Sequence, residues 1–413
     1  MSTTRTALIS GAGIAGPAVA FWLAEAGWDV TVVERAERLR TGGYPVDIRG
    51  TAREVIDRMG LTDKIDAHRH RNPAIEFLSP GGRRIARMDP NEVLSDPKSG
   101  DVEIARGTLT GVLYDATRHR ADYVFGDTIT DLSPTDTGVE VTFKHRATQR
   151  FDVVIGADGI HSKVRALAFG DEGQFLHHLG AYVAIWDIRG EMFAPGTGYM
   201  YSHPGRSAAL MRSFDGSETR AFLTYVHPRP GSVNRHDISA ITAELEREFA
   251  AYRWRTEEII ATLRDADDVF FDSVSQVRMP RWSKGRVTLV GDAAYAPAFL
   301  SGQGTSLALA GAYVLAGELA RHDDPAAGFA EYERRVREFV TRNQRLAVRT
   351  DSTVLSRTRG QLLRRNIRLM AWPVLQRLGL DRLLRRERRD ATTDLALTEH
   401  DLRRSLADAR ETP

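Results

Sequence analysis

Three segments of this chain combine residue types and spacings that suit the binding of a dinucleotide. The first runs from Gly11 to Gly16 (GAGIAG), between an apolar strand and an alanine-rich helix. Gly11 permits a tight turn, Gly13 lets a pyrophosphate approach the backbone, and Gly16 lets helix and strand pack closely. The start of the helix, which includes Ala15, directs free N–H groups and positive partial charge toward the phosphates.

An acidic residue ends the next strand, Asp29 to Glu34 (DVTVVE). In folds of this kind such a side chain accepts hydrogen bonds from the adenosine ribose hydroxyls, and Arg35 beside it can lie along the adenine. Strand, glycine turn, helix and acid together predict a bound dinucleotide, but they do not separate NAD from FAD. The plainer alternative is a glycine turn in a small-residue helix with no ligand.

Two further segments indicate the same kind of site. Asp152 to Arg165 (DVVIGADGIHSKVR) contains a buried strand followed by Asp158, and Gly285 to Leu319 contains Asp292 at the carboxyl end of another strand. The helix that closes this last segment opens on three residues assigned to cofactor binding, Gly302, Gly304 and Thr305. Either segment alone is equally compatible with a packing turn, whereas all three in this order, separated by a second domain, are much harder to explain as packing.

The bulk composition is that of a large globular protein. The 413 residues are 42% hydrophobic and 27% charged, which allows more than one domain. The net charge of +2 does not favour nucleic acid, and the absence of cysteine excludes thiolate nucleophiles and Cys-ligated metals. No pair of His or carboxylate residues has convincing metal spacing. The longest uncharged apolar stretch, Gly302 to Gly317, is shorter than the roughly 20 residues of a membrane span. We expect a cytoplasmic monomer or weak dimer with no stable membrane insertion.

The pattern of predicted secondary structure changes along the chain and divides it into parts. Strand–helix alternation typical of an α/β fold with a Rossmann-like domain is interrupted by alternating strands and turns, typical of an α+β domain with an antiparallel sheet. C-terminal helices follow, with the basic run 385–389 and a predicted break at Trp372-Pro373. The expected boundaries are 1–73, 101–175 and 282–325 for the cofactor domain, 74–100 and 176–281 for the substrate domain, and 326–413 for the helical region.

These motifs resemble those of the class A single-component flavoprotein monooxygenases, which have the p-hydroxybenzoate hydroxylase fold. The resemblance covers nearly the whole chain and rests on GAGIAG with Glu34, on Gly156 to Gly159 (GADG), and on the segment that starts at Gly291 (GDAAYAPAFLSGQG). Within the family the sequence looks most similar to the tetracycline-modifying and polyketide-tailoring enzymes. The resemblance implies an FAD-binding domain that is interrupted by a substrate domain.

The resemblance also implies roles for single residues. Arg106 is expected at the diphosphate and ribityl part of FAD, and Asp292 at a ribityl hydroxyl. Asp158 is expected where FAD and transient NAD(P)H both bind. The loop 42–49, which ends at Arg49, is expected to pass along the isoalloxazine.

Two positions depart from the family pattern. Tyr295 follows Asp292 by three residues, where the family often has His, and Phe299 stands where it often has Pro. The flavin-facing loop is therefore expected to have a different shape, which leaves the position of oxygenation open.

The expected reaction is that of an FAD-dependent monooxygenase that consumes NAD(P)H and dioxygen. It would hydroxylate or otherwise oxygenate a small aromatic or polyketide-like molecule through a flavin C4a-hydroperoxide, in a pocket that excludes water. Since the flavin supplies the chemistry, no catalytic side chain is assigned. Two alternatives stay open: an FAD-bound biosynthetic enzyme for cyclisation, rearrangement, Baeyer–Villiger oxidation or epoxidation, and a flavoprotein that only binds its small molecule.

Substrate contacts are expected on the inner face of the antiparallel sheet. Because successive strand residues face opposite sides, only one of Met211 and Arg212 can reach the pocket. The residues assigned to this pocket are Tyr182, Tyr201, Met211, Arg212, Phe222 and Phe299.

One apolar stripe near the C-terminus has helical spacing and arginines around it. We expect it to pack across both domains, and a membrane-surface helix is the alternative. The stripe consists of Leu362, Leu363, Ile367, Met370 and Val374.

Overall fold

Two large sheets dominate the computed structural model, one of six strands and one of seven. The described residues are 4–40, 43–70, 73–79, 81–89, 100–190, 192–213, 217–231, 233–252 and 254–377, together with Leu395 and Leu397. The basic run 385–389, Gly42 of the flavin-facing loop and most of the tail after 377 lie outside them. The predicted α/β fold, with a Rossmann-like part, an antiparallel sheet and C-terminal helices, is confirmed.

The six-stranded sheet consists of short strands from three separated parts of the chain. They are β1 (Thr6–Ser10), β2 (Asp29–Glu34), β7 (Asp122–Phe125), β11 (Val153–Gly156), β17 (Ser283–Lys284) and β18 (Val287–Leu289). Their order is β17-β18-β11-β1-β2-β7, and every pair is parallel except β17 with β18. Strands β11 and β18 are fully buried, as a parallel sheet covered on both faces requires. The carboxyl ends of β1, β2, β11 and β18 therefore meet at one edge, where such sheets bind their ligands.

Eleven helices appear among the described residues, and α1 and α9 pack against each other beside the six-stranded sheet. Both are rich in alanine and glycine, which allows this close approach. The helices are α1 (Ala15–Glu25), α2 (Thr51–Arg58), α3 (Thr62–Asp66), α4 (Arg106–Thr117), α5 (Lys163–Phe169), α6 (Ile238–Phe249), α7 (Thr256–Ala261), α8 (Asp292–Tyr295), α9 (Gly304–Arg321), α10 (Pro325–Val354) and α11 (Arg359–Arg377).

The seven-stranded sheet has the order β16-β12-β15-β14-β13-β4-β5, counted along the chain. Its strands are β4 (Ile75–Leu78), β5 (Arg84–Met88), β12 (Leu176–Ile188), β13 (Gly198–His203), β14 (Arg206–Arg212), β15 (Thr219–Val226) and β16 (Val269–Val277). All neighbours are antiparallel except β13 with β4. Two small sheets complete the set: β3 (Pro45–Ile48) with β6 (Val102–Ala105), and β8 (Ile129–Thr135), β9 (Gly138–Phe143) and β10 (Gln149–Phe151).

The two faces of the seven-stranded sheet have different neighbours. One face, with Tyr182, Leu223 and Phe271, packs against helices α6 and α7. The opposite face packs against the loop after α8 and the segment before α11. We call this second face the chamber face, and it is formed by Val183, Ile185, Phe222, Phe270 and Val274.

Helix α11 covers the chamber-face edge of the sheet near β5 and β13. The predicted break at Trp372-Pro373 is wrong, because α11 continues through Pro373 to Arg377. Pro373 is exposed, so water can satisfy the carbonyl that loses its N–H partner. Over the ranges that the structure describes, no helix is long and apolar enough to cross a membrane.

Candidate active site

The glycine turn after β1 has the geometry that its sequence predicts. Gly11 has a positive φ of 107°, and a Cβ there would lie 2.6 Å from the carbonyl oxygen of Ala157. A Cβ on Gly16 would overlap the carbonyl oxygen of Gly11. Neither position tolerates a side chain, because the turn is closed by backbone on every side.

Gly13 differs, because it faces open space rather than backbone. A Cβ there would meet nothing closer than Arg106 Nη2, at 3.9 Å. Arg106 is half-buried at the start of α4, and its guanidinium makes no hydrogen bond or ion pair with any described residue. A half-buried cation without a partner, facing a glycine at a helix N-terminus, is what a diphosphate group requires.

Glu34 connects the end of β2 to the glycine turn. Its carboxylate accepts hydrogen bonds from the backbone N–H of Ala12 at 2.8 Å and of Ala36 at 2.9 Å. An ionised carboxylate has about four acceptor positions, so capacity remains for ribose hydroxyls. Arg35 is exposed beside it. The structure thus brings Glu34 and Arg35 to the same edge as the glycine turn.

Asp158 follows β11 at this edge, but its carboxylate oxygens accept hydrogen bonds at the N-terminus of helix α5. They accept from the backbone N–H groups of Lys163, at 2.8 Å, and Val164, at 3.1 Å, and from the Ser162 hydroxyl. Burial raises the pKa of Asp158, although these hydrogen bonds oppose the rise. Its Cα would lie 2.9 Å from a Cβ on Gly11. Asp158 therefore supports the turn, and its direct contact with a cofactor stays a prediction.

Asp292 lies after β18, at the first position of α8, and its side chain is accessible to solvent although protein surrounds it on most sides. This crowding raises its pKa, and the charge of Arg106 opposes the rise. Its Oδ1 would lie 3.5 Å from a Cβ on Gly304, the first residue of α9. Asp292, Arg106 and Gly304 thus border one space at the carboxyl edge of the sheet.

The loop before α9 and the end of β3 close one end of this space. Arg49 forms an ion pair with Asp47 at 2.8 Å, and its backbone N–H donates to the hydroxyl of Ser306 at 3.1 Å. Gly302 has a positive φ of 65°, and a Cβ there would lie 2.7 Å from Asp47 Oδ2. Thr305 is buried in the first turn of α9. Helix α9 has no side-chain cap, so its first N–H groups are free to bind an anionic ring edge.

Three aromatic rings bring the loops of this site against the seven-stranded sheet: Tyr44 and Phe299 from the loops and Phe270 from β16. Tyr44 packs edge to face with Phe299 at 4.9 Å and with Phe270 at 5.1 Å between ring centroids, and Phe270 and Phe299 stack at 5.5 Å. Burial raises the pKa of Tyr44. The residue before Phe299, Ala298, has a positive φ of 90°, a strained backbone of the kind that marks functional loops. We call these three rings the aromatic gate.

The predicted substrate residues divide between the two faces of the sheet. Phe222 and Phe299 lie on the chamber side, and Met211 shares the face of Phe222 because it lies two residues from Ala209, the cross-strand partner of Phe222. The other three pack on the helix side: Tyr182, Tyr201 and Arg212. Of the six, only Phe222, Phe299 and Met211 therefore lie where a substrate on the chamber face could contact them.

Tyr295, one of the two departures from the family pattern, points away from the flavin loop. It is buried, and its hydroxyl accepts a hydrogen bond from Tyr332 at 3.0 Å. Its ring packs on Trp282 with centroids 4.6 Å apart. The Tyr at this position therefore fills the core between β18 and α10 and takes no part in the candidate site.

A histidine that the sequence did not single out joins the two large sheets. His161 Nδ1 lies 2.9 Å from Glu172 Oε1, and Nε2 lies 2.8 Å from Asp272 Oδ2 on β16. Burial lowers the pKa of His161, but hydrogen bonds to Asp272 and Glu172 outweigh that effect and raise it to about 8.

The sequence also did not single out Phe270 and Asp272 as candidate site residues. The run VFFDSVSQV hides the alternation of β16 behind two adjacent aromatic residues.

A separate polar cavity of about 900 Å³ lies between the segment after β2 and the end of β12. Arg38 and Arg40 line it from one side, and Asp187 and Arg189 from the other. Near it, partial burial and the positive charges of nearby arginines lower the pKa of His236. These arginines are Arg235, Arg35 and Arg40.

Comparison with known proteins agrees with this geometry. A family model described as FAD binding domain matches residues 4–347. An uncharacterized protein of Mycobacterium tuberculosis is 41% identical over 344 residues, which are 82% of this chain and 92% of that protein. A flavin-dependent monooxygenase from an unknown prokaryotic organism is 34% identical over 357 residues, which are 86% of this chain and 92% of that protein. The crystal structure of tetracycline destructase Tet(51) is 29% identical, with a TM-score of 0.82, and the match covers 96% of this chain and 100% of that one.

Proposed function

The chain belongs to the FAD binding domain family and is an FAD-dependent monooxygenase, and on that premise we propose that it oxygenates a small aromatic or polyketide-like molecule at the expense of NAD(P)H. The observation that supports this most is the aromatic gate of Tyr44, Phe270 and Phe299, which connects the loops at the cofactor edge of one sheet to the chamber face of the other. A flat, apolar substrate packed against these rings would be shielded from water.

The residues at the cofactor edge fit FAD. Glu34 would take the ribose hydroxyls, Arg106 and the N-terminus of α1 the diphosphate, and Asp292 a ribityl hydroxyl. When bound, FAD supplies the redox chemistry that activates dioxygen. The uncapped N-terminus of α9 would stabilise negative charge on the pyrimidine side of the ring, because its free N–H groups carry positive partial charge.

The chamber face would bind the substrate. Phe222 and Met211, which are partly exposed on this face, would form its apolar floor, and the buried Val183 and Ile185 would support them. Such a floor suits a planar molecule of several fused rings, since adjacent strands lie about 4.8 Å apart and offer a broad flat surface. The similarity to a tetracycline destructase makes tetracyclines the first compounds to test.

The reductant would bind transiently in the polar cavity next to segment 36–40. Its volume of about 900 Å³ accommodates a nucleotide, and four arginines line it together with five carboxylates. Arg38 and Arg40, on the segment after β2, would contact the phosphate groups. Nearby, partial burial and the positive charges of Arg235 and Arg35 lower the pKa of His236. Phosphate groups of NAD(P)H would be attracted to these arginines, so we propose NADPH, with its additional phosphate, as the better reductant.

We also propose that the protein acts in the cytoplasm as a monomer or weak dimer. A chain of this size without a single cysteine suits a reducing compartment.

The proposal is tested by NADPH oxidation in the presence of a panel of fused-ring phenols, anthraquinones and tetracyclines. We expect at least one compound to stimulate oxidation by about tenfold or more and to give a product with one added oxygen atom. Turnover that needs neither NADPH nor dioxygen would instead identify cyclisation or rearrangement chemistry. Tight binding of a compound with no product would identify a binding flavoprotein.

A further inference from the structure

Helix α11 is fixed on the sheet by one face only. On that face Arg365 is buried, and its Nη1 donates to the hydroxyl of Ser202 on β13 at 2.8 Å. Its guanidinium also lies over the ring of Phe77, 5.5 Å from the centroid. These contacts determine which residues of the helix point away from the protein.

The opposite face of α11 exposes a line of large apolar side chains. Leu363, Ile367, Met370 and Val374 are 60%, 50%, 54% and 55% exposed. Their spacing of four, three and four residues puts them on one side of the helix, along about 16 Å of its length. We call this line the outer stripe. The expectation that the whole apolar stripe packs across both domains is therefore wrong for these four residues, and of the five only Leu362 is partly buried.

Arginines flank the outer stripe on both sides. Arg364 and Arg368 lie along one flank, and Arg359 and Arg377 lie near the two ends of the other, at 100° per residue. All four are exposed, and none forms an ion pair with a residue that the structure describes. The helix 359–377 contains no Asp or Glu. An exposed apolar line between unpaired cations is the pattern of a helix that lies in a lipid interface.

We propose that the outer stripe of α11 binds the surface of an anionic membrane. The apolar side chains would enter the boundary between headgroups and acyl chains, and the four arginines would extend to lipid phosphates. This needs no membrane-spanning helix. Because α11 also covers β5 and β13 of the substrate sheet, binding would hold that edge of the chamber at a surface where apolar compounds accumulate.

The charges of α11 favour lipid over a second copy of the chain. Two outer stripes packed against each other would bring the arginines of one helix against those of the other, with no carboxylate on either to balance them. Lipid phosphates provide the missing negative charge. An acidic protein surface would also provide it, and the experiment distinguishes the two.

The experiment is co-sedimentation of the full-length, FAD-loaded protein with vesicles, which requires no turnover and no substrate. One set of vesicles is phosphatidylcholine alone, and the other contains a quarter of phosphatidylglycerol. The test variants are the double change Ile367→Asp with Met370→Asp, and the double change Arg364→Gln with Arg368→Gln. Ile238→Asp is the matched control, because Ile238 is an exposed apolar residue, 37% accessible, at the start of α6.

We expect the wild type and Ile238→Asp to bind the anionic vesicles more tightly than the neutral ones, and less at high salt. The aspartate pair should lower partition into anionic vesicles by about tenfold or more, and the glutamine pair should remove the preference for anionic lipid. Equal sedimentation of the wild type and the aspartate variant would overturn the inference. So would wild-type dimers that this variant cannot form, or wild-type binding to polyglutamate beads that is as tight as binding to anionic vesicles and is lost in this variant.

Discussion

Arg106 and Gly13 face each other across an open gap, with Arg106 Nη2 3.9 Å from the point that a Cβ on Gly13 would occupy. The glycine therefore leaves space that the protein itself does not fill. A methyl group there is tolerated by the empty protein but collides with a bound diphosphate. A substitution at Gly13 should therefore affect FAD binding without affecting the folding of the protein.

Gly13→Ala should fold normally and bind FAD about tenfold more weakly or worse, since overpacking of this kind costs about 1–3 kcal/mol. Titration of the apoprotein with FAD, followed by flavin fluorescence, measures the effect. Gly111→Ala is the control, because Gly111 lies in α4 with no atom within 4 Å of its Cβ position. Unchanged FAD affinity in Gly13→Ala would mean that the diphosphate lies elsewhere.

Arg106→Gln should also weaken FAD binding by about tenfold, because a charge-assisted hydrogen bond contributes about 1.5–3 kcal/mol. It should change the stability of the apoprotein little, since this half-buried cation makes no hydrogen bond or ion pair with a described residue and only a charge interaction with groups such as Asp292. Chemical denaturation with and without FAD distinguishes the two effects. A loss of stability in the apoprotein equal to that in the loaded protein would contradict a cofactor role.

His161 should make the stability of the protein depend on pH. Its pKa is about 8 in the folded state against 6.5 as the ordinary value. A histidine with a raised folded pKa stabilises the fold fully below about pH 6.5, and the gain disappears as pH rises through about 8. The shift corresponds to at most about 2 kcal/mol. Unfolding free energies measured from pH 6 to 9 should fall in the wild type and stay flatter in His161→Gln, and parallel curves would exclude His161 as the cause.

Phe222→Ala should raise the KM of an oxygenated substrate by about tenfold and increase NADPH oxidation that yields hydrogen peroxide instead of product, since it widens the chamber floor. Tyr182→Phe is the matched control on the other face of the sheet. Its hydroxyl accepts from the backbone N–H of Gly231 at 2.6 Å, so the change should cost about 1 kcal/mol of stability and leave KM alone. Equal changes of KM in both variants would place the substrate elsewhere.

Arg40→Gln and Arg235→Gln should raise the KM for NADPH more than that for NADH, with an effect that weakens as salt increases. Both changes leave the FAD edge untouched, so flavin content should stay that of the wild type. Arg118→Gln, at an exposed arginine paired with Asp115 on α4, is the control. If Arg118→Gln has the same effect, general surface charge rather than the cavity controls the reductant.

The cofactor edge could be predicted from sequence because its motifs are local. Gly11, Glu34 and Asp292 lie within a few residues of a strand end, and parallel strands bring such ends together whatever the remainder of the fold. The structure added the partners that are distant in sequence. The approach of Arg106 to Gly13, and that of Asp47 to Gly302, depend on loops whose path no local pattern determines.

The chamber could not be predicted in the same way. Tyr182 and Val183 alternate in β12, and the sequence shows that they face opposite sides without showing which side receives helices α6 and α7. Aromatic residues were therefore assigned to the pocket by type, and Tyr182 and Tyr201 belong to the helix side. The path of α11 through Pro373 could not be predicted from sequence either. Pro373 is exposed, so that water can satisfy the carbonyl that loses its N–H partner.

The central claim is that this chain inserts oxygen from dioxygen into a fused-ring compound, and one measurement tests it most directly. The FAD-loaded protein is incubated with NADPH, with a compound that stimulates NADPH oxidation, and with dioxygen labelled with a heavy oxygen isotope. The mass of the product is then measured by mass spectrometry. We expect one labelled oxygen atom per product molecule, and no product without dioxygen. A product of unchanged mass, or one that takes its oxygen from water, would contradict it.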